Sequence, residues 1–574
     1  MATNLVGRFQ IVSLLVLSML SCISAAIANP KDFVVYAFSQ CDVDGEDPQV
    51  YDLRPDTTIR AIGKWSNNGS EVEDYNFGQI ARYHERNITF MGSGTASVIF
   101  PHDFPTAEIF DDMSTRDANG DIVPHDEFDF PIPARRGNFF NPAYRDYLIS
   151  WAKIQIDGGV DGINFDEVNG GFSGGKKYNF NGNEGFDNYT LADFNRYLLA
   201  KYPNSTAADF QTRFRLPDNN LLSRTFPPDD LTKNFNYLVY LRSNSWNLDP
   251  HNSSNPLASE WGRPTANRLY ATDQSFTATY TRLYWHSLIT TLRNYTLTKY
   301  RRHLLISSNG LWPYVDFTSI GLYPWNPDEN TPDYRGADYV PLLEGGHLNG
   351  AKSLASQYRY LKTQSGLIAG EETPVAVFID WPNDMMAGYQ ALSLTEKMDY
   401  WRIFGAEAYA QGIFPAFHLR DTVGGKTANE SGVLAFMKEY SGFFKARGEV
   451  FRGNGRYAEG IDITFVTGEE GSGAKKEGVN GLVGTALVQT GTGRRTVHVV
   501  NHNYDWTRGG NLPVQKVWVE IKFADAHRPK RVGLISPDRN PVGEVWYPQS
   551  SSCGEGKLEV YLGEVKYYSV LLLD

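Results

Sequence analysis

At 574 residues, with 41% hydrophobic and 21% charged positions, the chain is too long for a single small core and has the balance of a soluble globular protein with one large domain and a smaller one. A net charge of −12 disfavours a nucleic-acid partner, because phosphate binding needs basic surface. Aromatic residues reach 14%, which suits a cleft lined for sugar rings and equally suits dense packing.

The first element is apolar. Arg8 precedes "IVSLLVLSML", and "AIA" (Ala26 to Ala28) supplies small residues before Asn29, the pattern of a secretory signal removed from the mature chain. A membrane anchor is the alternative, but the run is short for a span. No membrane association is expected after cleavage. Seven N-x-S/T sequons, at Asn68, Asn87, Asn188, Asn204, Asn252, Asn294 and Asn429, fit an extracellular, N-glycosylated product. Beyond the signal only Cys41 and Cys553 remain, either paired across the two ends of the chain or kept as buried thiols.

From about 30 to 450, strand-like runs alternate with helix-like segments. The runs are "FVVYAF" (33–38), "IRAIGKW" (59–65), "ASVIFP" (96–101), "DGINF" (161–165), "LLISSNG" (304–310), a sixth near 316–344, "PVAVFID" (374–380) and "GIFPAFHL" (412–419). Helices between them carry start and stop signals: Asn141 then Pro142 for the segment through Asp157, Thr190 with Asp193 for "TLADFNRYLLAKY", and a closing Gly412 for "SLTEKMDYWRIFGAEAYAQG". Eight strands, each followed by a helix, predict an α/β fold, a (β/α)₈ TIM barrel over 29–450. An open doubly wound sheet is the alternative, and no Gly-rich phosphate loop supports it. Residues from about 170 to 265 form a long insertion after the fourth strand, where barrels build substrate walls. From 451 to 574 short strands follow one another without helical segments, predicting a C-terminal β-sandwich.

Barrel enzymes carry their chemistry at the C-terminal ends of the strands. In "GVDGINFDEV" the side chains alternate, so Ile163 and Phe165 face the helices while Asn164 and Asp166 face the barrel axis. Asp166 is therefore the catalytic choice, and Glu167, out of phase, supports it or contacts substrate. Glycoside cleavage needs a second carboxyl group on another strand. Glu344 in "YVPLLEGGHL" and Asp380 in "VAVFIDWPND" are the strand-end candidates. Asp42, Trp65, His102, Asp103, Asn309 and His418 also fall at strand ends, and Tyr323 and Trp325 offer aromatic faces near Asp328 and Glu329. All of these are expected to bind substrate. No G-x-S-x-G, H-E-x-x-H or P-loop motif is present, no metal site is legible among 11 scattered histidines, and no cofactor is implied.

The segment "RRGNFFNPAYRDYLISWAKIQIDGGVDGINFDEVNGG" resembles the third-helix-to-fourth-strand region of secreted glycoside hydrolase barrels, whose "DG-x-x-x-D" strand carries a nucleophilic aspartate. The chain is most similar to glycoside hydrolase family 66, the dextranases and cycloisomaltooligosaccharide glucanotransferases, and to related hypothetical glycosyl hydrolase barrels. "LLEGGHLNGAKSLASQYRYLKTQSGLIAGEETPVAVFID" is similar in order and spacing to that family's acid/base region, and "RTVHVVNHNYDW" to a strand of its C-terminal sandwich. The pattern departs where Gly345 and Gly346 follow Glu344 in place of aromatics, and where the amino-terminal immunoglobulin-like domain is missing. The resemblance implies a retaining enzyme on a neutral α-glucan-type poly- or oligosaccharide, with Asp166 as nucleophile, Glu344 as acid/base and Asp380 in reserve. A transglycosylase on the same scaffold and an inactive carbohydrate-binding barrel are the alternatives. A monomer or a weak homo-oligomer is expected.

Overall fold

The computed structural model describes residues 29–39, 55–61, 77–125, 133–166, 168, 184–244, 246–262, 274–309, 312–324, 339–340, 349–370, 373–379, 393–418, 420–421, 426–427, 433–453, 455–471, 475–476, 478–505, 510–524, 529–540, 542–548, 551–554 and 556–574. The apolar N-terminal run and Cys41 lie outside these residues. No helix among them is long and apolar enough to cross a membrane.

Eight strands form the centre: β1 (Tyr36–Ser39), β2 (Thr57–Ala61), β3 (Thr89–Thr95), β4 (Gly162–Asp166), β5 (Leu305–Asn309), β6 (Phe317–Pro324), β7 (Val375–Ile379) and β8 (Phe414–His418). Each pairs in parallel with its sequence neighbour, and β8 pairs back onto β1, so the sheet closes into a barrel. Its N-terminal end is plugged by Phe33, Tyr36, Phe317 and Phe414, whose rings meet edge-on or tilted at 5.9–6.2 Å between centroids. Each such pair adds about 1 kcal/mol beyond the area it buries.

Three expectations change. The third barrel strand is Thr89–Thr95, not 96–101; Val98–Ile99 instead makes a short antiparallel ladder with Arg135–Arg136 beyond the barrel. The true strand is hidden in the sequence because it reads "TFMGSGT". Gly92 and Gly94 face the helix Pro142–Asp157, where a Cβ would sit 1.7 Å from the Gln155 amide oxygen and 2.3 Å from the Trp151 ring. Packing this close excludes the apolar side chains that mark a strand. Second, among the described residues no helix separates β5 from β6, which only residues 310–316 connect. Trp312 is buried there against Trp285, and the 25-residue helix Phe276–Tyr300 covers the gap, Trp285 donating to the Pro313 carbonyl at 3.1 Å. Third, the helix holding Thr190 starts at Asn188 with Asp187 as its cap, which accepts the Thr190 N–H at 2.9 Å. Asp193 is bonded to Tyr284 and Arg196. The cap Asn141 stands as read, and at the start of the helix Leu394–Ala410 the structure adds a capping box between Ser393 and Glu396.

Residues 184–262 fold as short helices around an aromatic core of their own, in which Phe186, Phe194, Tyr237 and Trp261 pack with Phe276 of the following long helix. Beyond 455 two five-stranded antiparallel sheets pack face to face. One sheet alternates, with Leu558, Val560 and Leu562 inward. In the other, Arg495–Asn501 and Tyr568–Leu573 are buried on both faces because the second face meets the barrel helices. That junction is polar as well as apolar. His502 Nε2 donates to Glu407 at 2.8 Å, Gln411 bridges Glu407 and Thr485 at 2.7 and 2.9 Å, and Arg402 joins Asp399, Glu439 and Tyr567. Buried polar groups paired across a junction in this way favour one orientation of the two parts.

Candidate active site

The C-terminal end of the barrel holds a polar layer that spans three strands. Register places Ser93, Asn164 and Ser307 side by side on β3, β4 and β5. Ser307 donates to Asn164 Oδ1 at 2.8 Å, and Asn164 Nδ2 reaches Ser93 Oγ at 3.4 Å. All three are at most 1% exposed, so the layer is dry and its partners are mutual. Phe165, one residue further on, points the other way and packs edge-on against Trp151 and Trp285 of the flanking helices. Phe165 thus lies on the helix side, and Asn164, bonded to Ser93 and Ser307, lies on the opposite face of the strand.

One pair of residues higher sits Asp166, 8% exposed, with Asn309 Nδ2 donating to its Oδ1 at 2.7 Å. The Asp166 carbonyl accepts the Ala96 N–H at 2.7 Å, which ties the strand end to the start of the β3 connection. A carboxylate in this place is nearly out of water, and the Asn309 amide holds one of its oxygens.

The other candidates divide clearly. Asn164, Asp166 and Asn309 are brought together. His102 and Asp103 are not at a barrel strand end: they form a 3₁₀ turn after the Val98–Ile99 ladder, His102 exposed and stacked on Phe100, and Asp103 accepting the Phe100 N–H at 2.8 Å. Asp103 is thus occupied as a local cap. His418 is the last residue of β8, in register with Phe38, and Tyr323 lies inside β6, in register with Tyr339. Asp42, Trp65, Glu167, Trp325, Glu344 and Asp380 lie outside the described residues; β2 ends at Ala61 and β7 at Ile379.

Two groups escape a strand-end search. The β3 connection and the insertion after β4 are both walls of this end of the barrel, and they are sewn together by an Asp117–Glu184 bridge and by Gly185 and Phe186 N–H groups donating to the Arg116 carbonyl at 3.0 Å. Glu184 is fully buried at this seam, and neither carboxyl oxygen has a hydrogen-bond partner among the described residues. Burial pushes its pKa up to about 8; the Arg136 guanidinium opposes that and Asp117 adds to it. Arg136 is itself fully buried and reaches Ser97 Oγ at 3.4 Å. No signal in the sequence joins Arg136 to Glu184, since each lies in a long connection. No group of three metal-ligating side chains occurs among the described residues.

No protein-family model matches the chain, and no curated protein matches it. Solved structures do. A cycloisomaltooligosaccharide glucanotransferase from Paenibacillus sp., complexed with cycloisomaltoheptaose, aligns over 94% of this chain and 85% of its own with a TM-score of 0.53 at 9% identity. A maltogenic α-amylase, AmyB, from Thermotoga neapolitana aligns over 95% and 99% with a TM-score of 0.45 at 11% identity, too low a similarity to argue from. The first likeness establishes a shared fold, the barrel with its all-β partner, and assigns no residue its role.

Proposed function

We propose that the chain is a secreted glycoside hydrolase that cleaves a neutral α-glucan by retention. The observation that carries the reading is Asp166: a buried carboxylate at the end of β4, on the axis of a closed parallel barrel, with one oxygen anchored by Asn309. The glucanotransferase of the same fold was captured with cycloisomaltoheptaose, which supports an α-glucan as the first substrate class to try. In this reading Asp166 attacks the anomeric carbon, and Glu344 protonates the leaving oxygen and then activates water, with Asp380 as the alternative acid. The mechanism calls on no metal or cofactor. Transfer to a second sugar in place of water is the other outcome on this scaffold, and the products formed at high glucan concentration separate the two.

The two acid candidates are told apart by leaving-group dependence. Glu344→Gln is expected to lose hydrolysis of glucans by about 10²–10⁴-fold, the worth of general acid catalysis, while an α-glucosyl fluoride, whose fluoride departs without a proton, still reacts. If Asp380→Asn shows that pattern and Glu344→Gln does not, the acid is Asp380.

Secretion rests on the apolar N-terminal run and on the sequons. Asn87, Asn188, Asn204 and Asn294 are exposed and Asn252 is half-buried, as attachment of a bulky glycan requires. Protein collected from the medium of a eukaryotic host should lose mass on treatment with an N-glycan amidase. An unchanged mass would remove this part of the proposal.

A further inference from the structure

We infer that the outer face of the C-terminal sandwich carries a second glucan-binding site, centred on Trp518 and Tyr561; the inference rests on the reading above for the choice of a neutral α-glucan as ligand. The strands Ile461–Gly468, Val514–Phe523 and Lys557–Val565 lie side by side in one sheet. Val517, Val519 and Ile521 point into the sandwich core, as do Leu558, Val560 and Leu562. Alternation therefore sends Trp518 and Tyr561 to the opposite face. The two are directly opposed across the ladder and half-buried, with ring centroids 5.0 Å apart and planes tilted at 47°. A single apolar residue on such a face is ordinary, whereas two large rings opposed across a ladder make a small platform.

The backbone is shaped around this pair. Lys516 holds φ 57°, a left-handed conformation that costs a lysine strain, and Gly563 holds φ 71° on the neighbouring strand. Each lies two residues from the ring on its own strand. The ladder shifts register between Val514 and Val517 and again between Val517 and Trp518. Such bulges bend a strand and re-aim the side chains beside them. Trp518 Nε1 donates to the Gly468 carbonyl at 3.1 Å, which orients the indole, and Lys516 pairs with Glu469. The bulged strand is thus fastened to the end of the strand Ile461–Gly468.

The neighbouring rows on the same face point to the class of ligand. Thr464, Glu520 and Glu559 stand in register beside the rings, and Asp462, Lys522 and Lys557 form the row after them. Lys557 Nζ lies 2.6 Å from Glu559 and 3.3 Å from Glu520, so the acids are largely compensated by bases. A charged polymer finds little net field on such a surface. A neutral sugar chain finds both of its needs, aromatic faces for its C–H surfaces and charged groups to hydrogen-bond its hydroxyls. The tilt of the two rings suits a chain whose successive sugar faces turn, as those of a curved α-glucan do. A protein partner fits less well. A stable interface buries about 800 Å² on each side around an apolar centre, and here charged residues begin in the row beside the rings.

Affinity electrophoresis of the full chain through gels containing soluble starch or dextran tests this, in an Asp166→Asn background so that the polymer is not consumed. The barrel cleft then contributes equally to every protein compared. Trp518→Ala is expected to raise the apparent Kd for the polymer by about tenfold or more, the loss on truncating an aromatic anchor. Tyr561→Ser, a change on the solvent face, should move retardation the same way and decides the matter if the tryptophan variant does not fold. With Asp166 restored, the ratio of kcat/KM on the polymer to that on an α-glucosyl fluoride should fall in step. Retardation unchanged in both variants would overturn the site. So would self-association of the wild type that Trp518→Ala abolishes while retardation persists, because the face would then join copies of the chain. The underlying reading fails separately. A wild type that turns over neither glucan nor fluoride, yet loses retardation in Trp518→Ala, sinks the hydrolase and keeps the platform. Full turnover with retardation indifferent to both rings sinks the platform alone.

Discussion

On the proposed reading, Asp166→Asn is expected to lower glucan hydrolysis by on the order of 10⁴-fold or more in kcat, the scale at which loss of a covalent nucleophile is felt, and to leave folding intact. The fold should survive for a stated reason. The amide oxygen of the substituted side chain can still accept from Asn309, and the layer below, Ser93, Asn164 and Ser307, does not involve the changed atom. The backbone bond from the Ala96 N–H to the carbonyl at this position is likewise untouched. An amide cannot form the glycosyl ester, so binding persists while turnover stops. The complementary variant, Asp166→Gly, opens space for a small external nucleophile. Azide entering that space would attack from the face Asp166 used, so glycosyl azide of inverted configuration should form from the α-glucosyl fluoride. Wild-type turnover by Asp166→Asn, or no azide product from an Asp166→Gly protein that still binds glucan, would move the nucleophile elsewhere.

The barrel is legible wherever a strand buries apolar residues on its helix side. β4 shows why: Phe165 has Trp151 and Trp285 to pack against, so the alternation that assigns Asp166 to the axis is written into the sequence. β3 is misplaced by the same pattern for the converse reason. Its helix-facing positions are Gly92 and Gly94, where Gln155 and Trp151 approach so closely that no side chain fits. That error carries His102 and Asp103 in among the strand-end residues, although Asp103 serves as a cap. Strand position alone finds Asn309 but suggests a sugar contact, whereas its amide is turned to Asp166. The sandwich shows two patterns because one sheet faces water while the other is pressed on the barrel, so Arg495–Asn501 and Tyr568–Leu573 lack alternation. The Arg136–Glu184 neighbourhood is beyond the reach of sequence, because the two connections meet only in the folded chain.

Glu184→Gln should stabilise the protein increasingly as pH rises from about 4.5 to about 8, and should be neutral in acid. The wild-type carboxyl is fully buried without a hydrogen-bond partner among the described residues, and burial, assisted by Asp117 against the pull of Arg136, raises its pKa to about 8 from the ordinary 4.5. A carboxyl group that holds its proton more tightly in the folded than in the unfolded chain gives stability that is complete below the unfolded value. That stability is lost as pH climbs through the folded value, because the unfolded state gains by ionising first. The loss runs at about 1.4 kcal/mol per pH unit and sums to on the order of 5 kcal/mol. Glutamine has nearly the same shape, keeps no proton to lose and leaves Arg136 without a competing titration. Urea unfolding midpoints of the two proteins at pH 4.5, 6 and 8 supply the comparison, and the gap between them should open with pH. Parallel midpoints across that range would mean that Glu184 is charged in the folded protein and balanced by Arg136.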